Sequence, residues 1–111
     1  MHHFQEIHTP SATYKFRLYP VDTEFKRIAG LYTFIILPTN SPASQNHYTI
    51  LYIGITNDFK ARFKSHHKLD DALELGCTHI GIMRKSSGRT RKKIEKDLLQ
   101  YLNPPLNQTW L

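Results

Sequence analysis

Apolar residues along this chain recur with period two in some stretches and at helical spacing in others. Residues 14–19, Tyr-Lys-Phe-Arg-Leu-Tyr, alternate aromatic or apolar with basic side chains, as in a half-exposed strand that Pro20 ends. Residues 31–37 are almost continuously apolar, the mark of a strand buried on both faces, and residues 48–55 give the next strand. Between them, residues 38–46 are rich in Pro, Asn and Ser, which is turn chemistry, so the two strands should form an antiparallel hairpin. Asn57 and Asp58 then begin a helix, with Asn57 suited to cap it and Asp58 to face its positive end. Phe59 and Phe63, four apart, anchor that helix on one face.

Leu69, Ala72 and Leu73 predict a second short helix closed by Gly76. Residues 77–83 give a third strand, with Ile80 and Ile82 on one face. After a Ser86-Ser87-Gly88 loop, Ile94, Leu98, Tyr101 and Leu102 keep helical spacing over residues 89–102 until Pro104-Pro105 stops the helix. Residues 1–13 read as a flexible polar arm and residues 14–111 as one domain. The expected fold is α/β: a small, mainly antiparallel three-stranded sheet flanked by helices, to which residues 14–19 can add an N-terminal strand.

Length and charge narrow the partners. At 111 residues there is room for one modest core. The excess of 15 Lys and Arg over 9 Asp and Glu gives +6, and the pI is near 9.6, which favours a polyanion over an acidic surface or a neutral one. A single cysteine, Cys77, excludes an internal disulfide and fits a reducing compartment. Residues 1–6 lack the charged start and apolar stretch of a signal peptide, and no apolar run approaches the ~20 residues of a membrane span. These features set the expectation of a cytoplasmic protein with no membrane partner.

Candidate chemistry begins with two triplets, Gly30-Leu31-Tyr32 and Tyr52-Ile53-Gly54, on the paired strands. Adjacent strands would bring the tyrosines together, and the glycines permit close backbone approach. Arg62 flanks the Phe59/Phe63 stripe, and its planar fork suits two phosphate oxygens; taken alone, it reads equally as a solvated arginine, like Lys60 and Lys64 on the other flank. His66 lies four residues further, on the same helical face if the helix continues, and can donate to a phosphate or move a proton. Glu95 is the one acid among seven basic residues between Arg84 and Lys96, so it either pairs with Arg91 four residues back or holds a cation. Asn107 follows the rigid Asn103-Pro104-Pro105 turn, where an asparagine ordinarily bonds local backbone. Arg84, Lys85, Arg89, Arg91, Lys92 and Lys93 offer a phosphate-tracking surface or a solvated helix face. His66, His67, Cys77 and His79 match no common zinc spacing.

Taken in order, the two triplets, Arg62 ten residues after Tyr52, then His66, Glu95, and Asn107 twelve residues after Glu95, resemble the GIY-YIG nuclease family. The resemblance covers residues 29–108 and rests on order and spacing. It implies a nuclease that cuts nucleic-acid phosphodiesters, DNA first, leaving 5′-phosphate and 3′-hydroxyl ends. It implies one Mg²⁺ or Mn²⁺ ion held by Glu95, Arg62 at the phosphate, Tyr32 or Tyr52 activating water with help from His66, and Asn107 in support. Two departures stand out: Leu31 replaces the isoleucine of the first triplet, and Ile55 stands where some members carry lysine. The 19 residues between Tyr32 and Tyr52 are also more than the family suggests, and the excess falls in the polar loop. No separate targeting domain is visible, so selectivity would come from the loops, a homodimer or a protein partner. The rival reading from the same residues is a non-catalytic nucleic-acid-binding module or accessory subunit that keeps the fold.

Overall fold

The computed structural model describes residues 3–38 and 48–108. Five strands, β1 (His3–His8), β2 (Thr13–Pro20), β3 (Gly30–Ile36), β4 (Thr49–Thr56) and β5 (His79–Arg84), form one sheet in the order β1-β2-β5-β3-β4. Every pairing is antiparallel. The helices are α1 (Phe59–Lys64), α2 (His67–Glu74) and α3 (Gly88–Tyr101), followed by a 3₁₀ turn at Pro105–Asn107. The chain is therefore α/β, as its patterning predicts, but with five strands rather than three and one more. The added strand is β1, drawn from residues expected to be a loose arm; its Gln5 and Ile7 are buried, which explains how so polar a segment is held. The proline-rich turn expected at residues 38–46 lies, beyond Pro38, outside the described residues. Among the described residues, no helix is long and apolar enough to cross a membrane.

Strand β3 lies between β4 and β5, which is why its sequence is nearly all apolar. Alternation along it divides the core in two. Tyr32 and Phe34 face a cluster with Phe59 of α1, Ala72 of α2 and Ile80 of β5. Leu31 faces the other cluster, with Phe16 of β2, Ile53 of β4, and Ile94 and Leu98 of α3. Helices α1 and α2 thus cover one face of the sheet and α3 the other. The sheet curls: Thr33 of β3 donates to buried Gln5 of the distant edge strand at 3.2 Å, and Tyr48 donates to the Phe4 carbonyl at 3.2 Å.

Local chemistry fixes the helices. Asp58, not Asn57, caps α1, its carboxylate accepting from Ala61 N–H at 3.2 Å while it also pairs with Arg27 at 3.0 Å. Helix α1 ends at Lys64, and His66 caps α2. At the far end of α2, Gly76 takes φ +99°, and Gly76 N–H and Cys77 N–H reach back to Leu73 and Ala72 at 3.1 and 2.9 Å. This is a Schellman closure, which an L side chain at residue 76 would strain. Ser87 caps α3 through Thr90 N–H at 3.2 Å. Asp97 of α3 accepts from Tyr14 at 2.6 Å and Thr9 at 2.8 Å, pinning the β1–β2 hairpin to that helix.

Candidate active site

Two paired strands and the junction between α1 and α2 build the candidate site. Tyr32 lies opposite Gly54 in the β3–β4 register, and its phenol ring rests over that glycine. Tyr52 sits two residues earlier on β4, its ring centre 6.0 Å from that of Tyr32. His66 closes the group: its Nε2 lies 2.7 Å from the Tyr32 hydroxyl, and its ring is 5.5 Å from Tyr52. Phe63 of α1 packs edge-on against Tyr32 at 5.0 Å, which fixes that helix over the tyrosines. The expected continuation of α1 through His66 is not observed. Ser65 breaks the helix, and His66 comes to the tyrosines as the cap of α2 instead.

Proton positions follow from these partners. His66 Nδ1 accepts the Lys68 backbone N–H at 3.1 Å, so the neutral ring carries its proton on Nε2 and donates it to Tyr32. Burial first, and then the charge of Arg62, lowers the His66 pKa from 6.5 to about 4. At neutral pH the ring is therefore an uncharged donor. Burial also pushes the Tyr32 pKa well up; Tyr52 raises it further by holding the Tyr32 proton, while the Arg62 guanidinium opposes the rise. Arg62 is thus close enough to bear on both Tyr32 and His66. The structure brings Tyr32, Tyr52, His66 and Arg62 together.

This charge arrangement predicts a pH effect on stability. The folded His66 pKa lies below that of the unfolded chain, so on acidification the unfolded state takes up the proton first. The contribution is whole above about pH 6.5 and drains away down to about pH 4, by at most ~3 kcal/mol from a single site. Thermal melts should show the parent losing more stability between pH 7 and pH 4.5 than His66→Gln, which does not titrate. Equal losses would mean that the proton is taken up elsewhere.

Glu95 does not join that hydrogen-bonded group. It follows Ile94 on α3, across the sheet from α1, and burial alone raises its pKa. The pairing with Arg91 considered from sequence is not made. Arg91 instead donates to the carbonyls of Lys85 and Ser86, both at 3.0 Å, and so holds the β5–α3 loop. Among the described residues the ion pairs are His8–Glu6 and Arg27–Asp58, which leaves Glu95 a half-buried carboxylate without a salt bridge. Such a group suits a hard cation that fills its remaining positions with water and phosphate oxygens. Among the described residues, no three His, Cys, Asp or Glu side chains gather into a ready-made metal site.

Asn107 has a definite task. Its Oδ1 accepts from Ile53 N–H and its Nδ2 donates to Ile53 C=O, both at 2.8 Å, so the side chain imitates a neighbouring strand on the open edge of β4. It thereby secures the strand that carries Tyr52 and Gly54. Of the basic residues proposed for phosphate contact, Arg84, Lys85, Arg89, Lys92 and Lys93 are exposed, whereas Arg91 is committed to its loop. The clamp of Tyr14 and Thr9 on Asp97 went unseen from sequence because its partners are 83 and 88 residues apart. Compared with protein-family models, curated proteins and solved structures, the chain matches none.

Proposed function

We propose that this chain is a cytoplasmic, divalent-metal-dependent nuclease of the GIY-YIG kind, hydrolysing phosphodiester bonds in nucleic acid, DNA first. One observation carries the reading: a run of hydrogen-bond donors that all point toward Tyr52, beside Arg62. Lys68 N–H donates to His66, His66 donates to Tyr32, and the Tyr32 proton is held toward Tyr52. Donors aligned in one direction polarise one another and favour negative charge on the last oxygen. Tyr52 is therefore assigned to take the proton from the attacking water. Tyr32 is only 1% exposed and its pKa is pushed up, which suits a positioning residue and not the base. Arg62 binds the phosphate and offsets the charge that grows on its oxygens.

Mg²⁺ or Mn²⁺, with Glu95 as its one protein carboxylate, supplies charge stabilisation at the departing oxygen in this chemistry. Strand β4 carries Tyr52, packs against α3 and is closed by Asn107, so three of the proposed participants meet on one strand. The succession β3, β4, α1, α2, β5, α3 also has the hairpin, helices, strand, helix order on which the family resemblance rests. The products expected are 5′-phosphate and 3′-hydroxyl ends. A homodimer or protein partner would supply targeting.

The test is incubation with duplex, single-stranded and branched DNA and with RNA, with and without Mn²⁺. Tyr52→Phe should slow metal-dependent cleavage by about a hundredfold or more, as loss of a general base does, and Tyr32→Phe by less. If Tyr32→Phe is the slower variant, the base is Tyr32. If the parent cuts nothing yet binds, the nuclease reading fails and the binding-module reading stands. That second reading has its own support in the burial of Tyr32 and in the distance in the fold between Glu95 and the other candidates.

A further inference from the structure

The flank of α1 opposite Arg62 carries a feature that the catalytic reading does not use. Residues 21–29 connect β2 to β3 and fold back over α1, with Arg27 paired to Asp58 and Ile28 C=O accepting from Phe59 N–H at 3.0 Å. Two cavities of about 380 and 300 Å³ lie along this connection and share Thr23, Glu24, Phe25 and Phe59 as walls. Each has the size of a small-ligand site. Together they form one groove.

The groove is both basic and aromatic. Lys60 and Lys64 line the first cavity, and Lys26 and Arg84 the second. All four are exposed, and none is in an ion pair among the described residues. Glu24 is the one acid in either wall, so the lining keeps an excess of positive charge. Tyr19 and Phe25 stand between these cations, half-buried and edge to face at 5.6 Å. Phe25 continues to Phe63 at 5.1 Å, and Phe63 to Tyr32 at 5.0 Å, so a ring contact series leads from the groove to the candidate site. A solvated lysine face needs no aromatic wall, and a purely apolar groove would not carry four unpaired cations. Cations that follow a backbone, with rings on which bases stack, are the requirements of an unpaired nucleic-acid strand.

We propose that this groove holds a single-stranded segment of nucleic acid, its phosphates along Lys60, Lys64, Lys26 and Arg84 and its bases against Phe25 and Tyr19. A duplex keeps its bases stacked inside and cannot place them on these rings, so the preferred partner has an unpaired flank. The inference rests on the nuclease reading only in calling that flank part of a substrate; binding itself needs no cleavage.

The test uses the full chain with EDTA present and a short oligothymidylate labelled with fluorescein or carrying 5-iododeoxyuridine. By fluorescence anisotropy, Lys60→Gln/Lys64→Gln should weaken binding and flatten its salt dependence by about two units of slope, roughly one per lost phosphate contact. Phe25→Leu, which keeps most of the packing volume, should weaken binding by about fivefold or more, the loss of one stacked base. Its melting curve confirms that the variant folds. Photocrosslinks mapped by mass spectrometry should fall on Tyr19 or Phe25. Crosslinks confined to α3, an unchanged salt slope, or tighter binding to a blunt duplex of the same length would each overturn the proposal. Crosslinks in the groove from a chain that cuts no substrate would sustain the groove and end the nuclease reading. Cleavage by a chain whose crosslinks avoid the groove would do the reverse.

Discussion

Glu95→Gln should reduce metal-dependent cleavage by about a thousandfold or more while leaving the fold and nucleic-acid affinity nearly unchanged. The substitution is close to isosteric, and Glu95 makes no salt bridge among the described residues whose loss would unsettle α3. It removes a half-buried charge whose pKa burial already raises, so folding stability should hold or rise slightly. A carboxylate that costs stability where it stands, and that its nearest arginine has turned away from, is explained by something it binds. Loss of the one protein ligand to the ion would remove charge stabilisation at the leaving oxygen, the largest single contribution expected in this reaction. The measurement is single-turnover cleavage across a Mn²⁺ titration. If high Mn²⁺ restores the parent rate, Glu95 contributes affinity for the ion and little to the chemical step. A variant as fast as the parent at every concentration would remove Glu95 from the site.

Much of this fold was legible because its elements differ in period. Strand β3 could be read from continuous apolarity, since it lies between two neighbours and under both layers. Helix α3 could be read from Ile94 and Leu98 at helical spacing, both of which are buried. Strand β1 could not. Its sequence, His-Phe-Gln-Glu-Ile-His, looks polar because one buried position is Gln5, whose partner Thr33 is 28 residues away and on another strand. Satisfying a buried amide through a long-range hydrogen bond leaves no local pattern.

The same limit applies to the candidate site. Tyr32 and Tyr52 were placed together by the hairpin register, which sequence gives well. His66 was assigned to the right neighbourhood for the wrong reason, helical spacing from Arg62, when in fact a helix break and a cap deliver it. Arg91 looked like the partner of Glu95 because four-residue spacing permits a pair; whether the arginine turns inward or toward the loop carbonyls depends on where the loop ends. Lys60 and Lys64 looked like ordinary solvated lysines because the residues facing them, Phe25 and Lys26, belong to a connection with no periodicity to read.

Gly30→Ala and Gly54→Ala should separate stability from chemistry within the two motif triplets. A Cβ on Gly30 would lie 2.1 Å from the Met83 carbonyl oxygen and 2.7 Å from the Phe59 ring. The first of these neighbours is backbone of the paired strand β5, so relief requires moving β3 away from β5 at Gly30↔Arg84. Overpacking of this kind costs roughly 1–3 kcal/mol, and a moved strand in the middle of the sheet places this case at or above the upper end. The melting temperature should fall by about 10 °C or more, on the usual conversion for a domain of this size. A Cβ on Gly54 meets side chains instead: the Tyr32 ring carbon and hydroxyl at 2.4 Å, and the Tyr52 ring at 2.9 Å. Those rings can give way, but only by shifting the Tyr32 hydroxyl from the 2.7 Å bond to His66. Gly54→Ala should therefore melt closer to the parent than Gly30→Ala while losing more cleavage at temperatures where both are folded. Thermal melts paired with single-turnover rates decide it. A Gly54→Ala chain that is folded and cuts at the parent rate would show that the Tyr32–His66 bond has no part in the chemistry, and the directed series of donors ending at Tyr52 would lose its functional meaning.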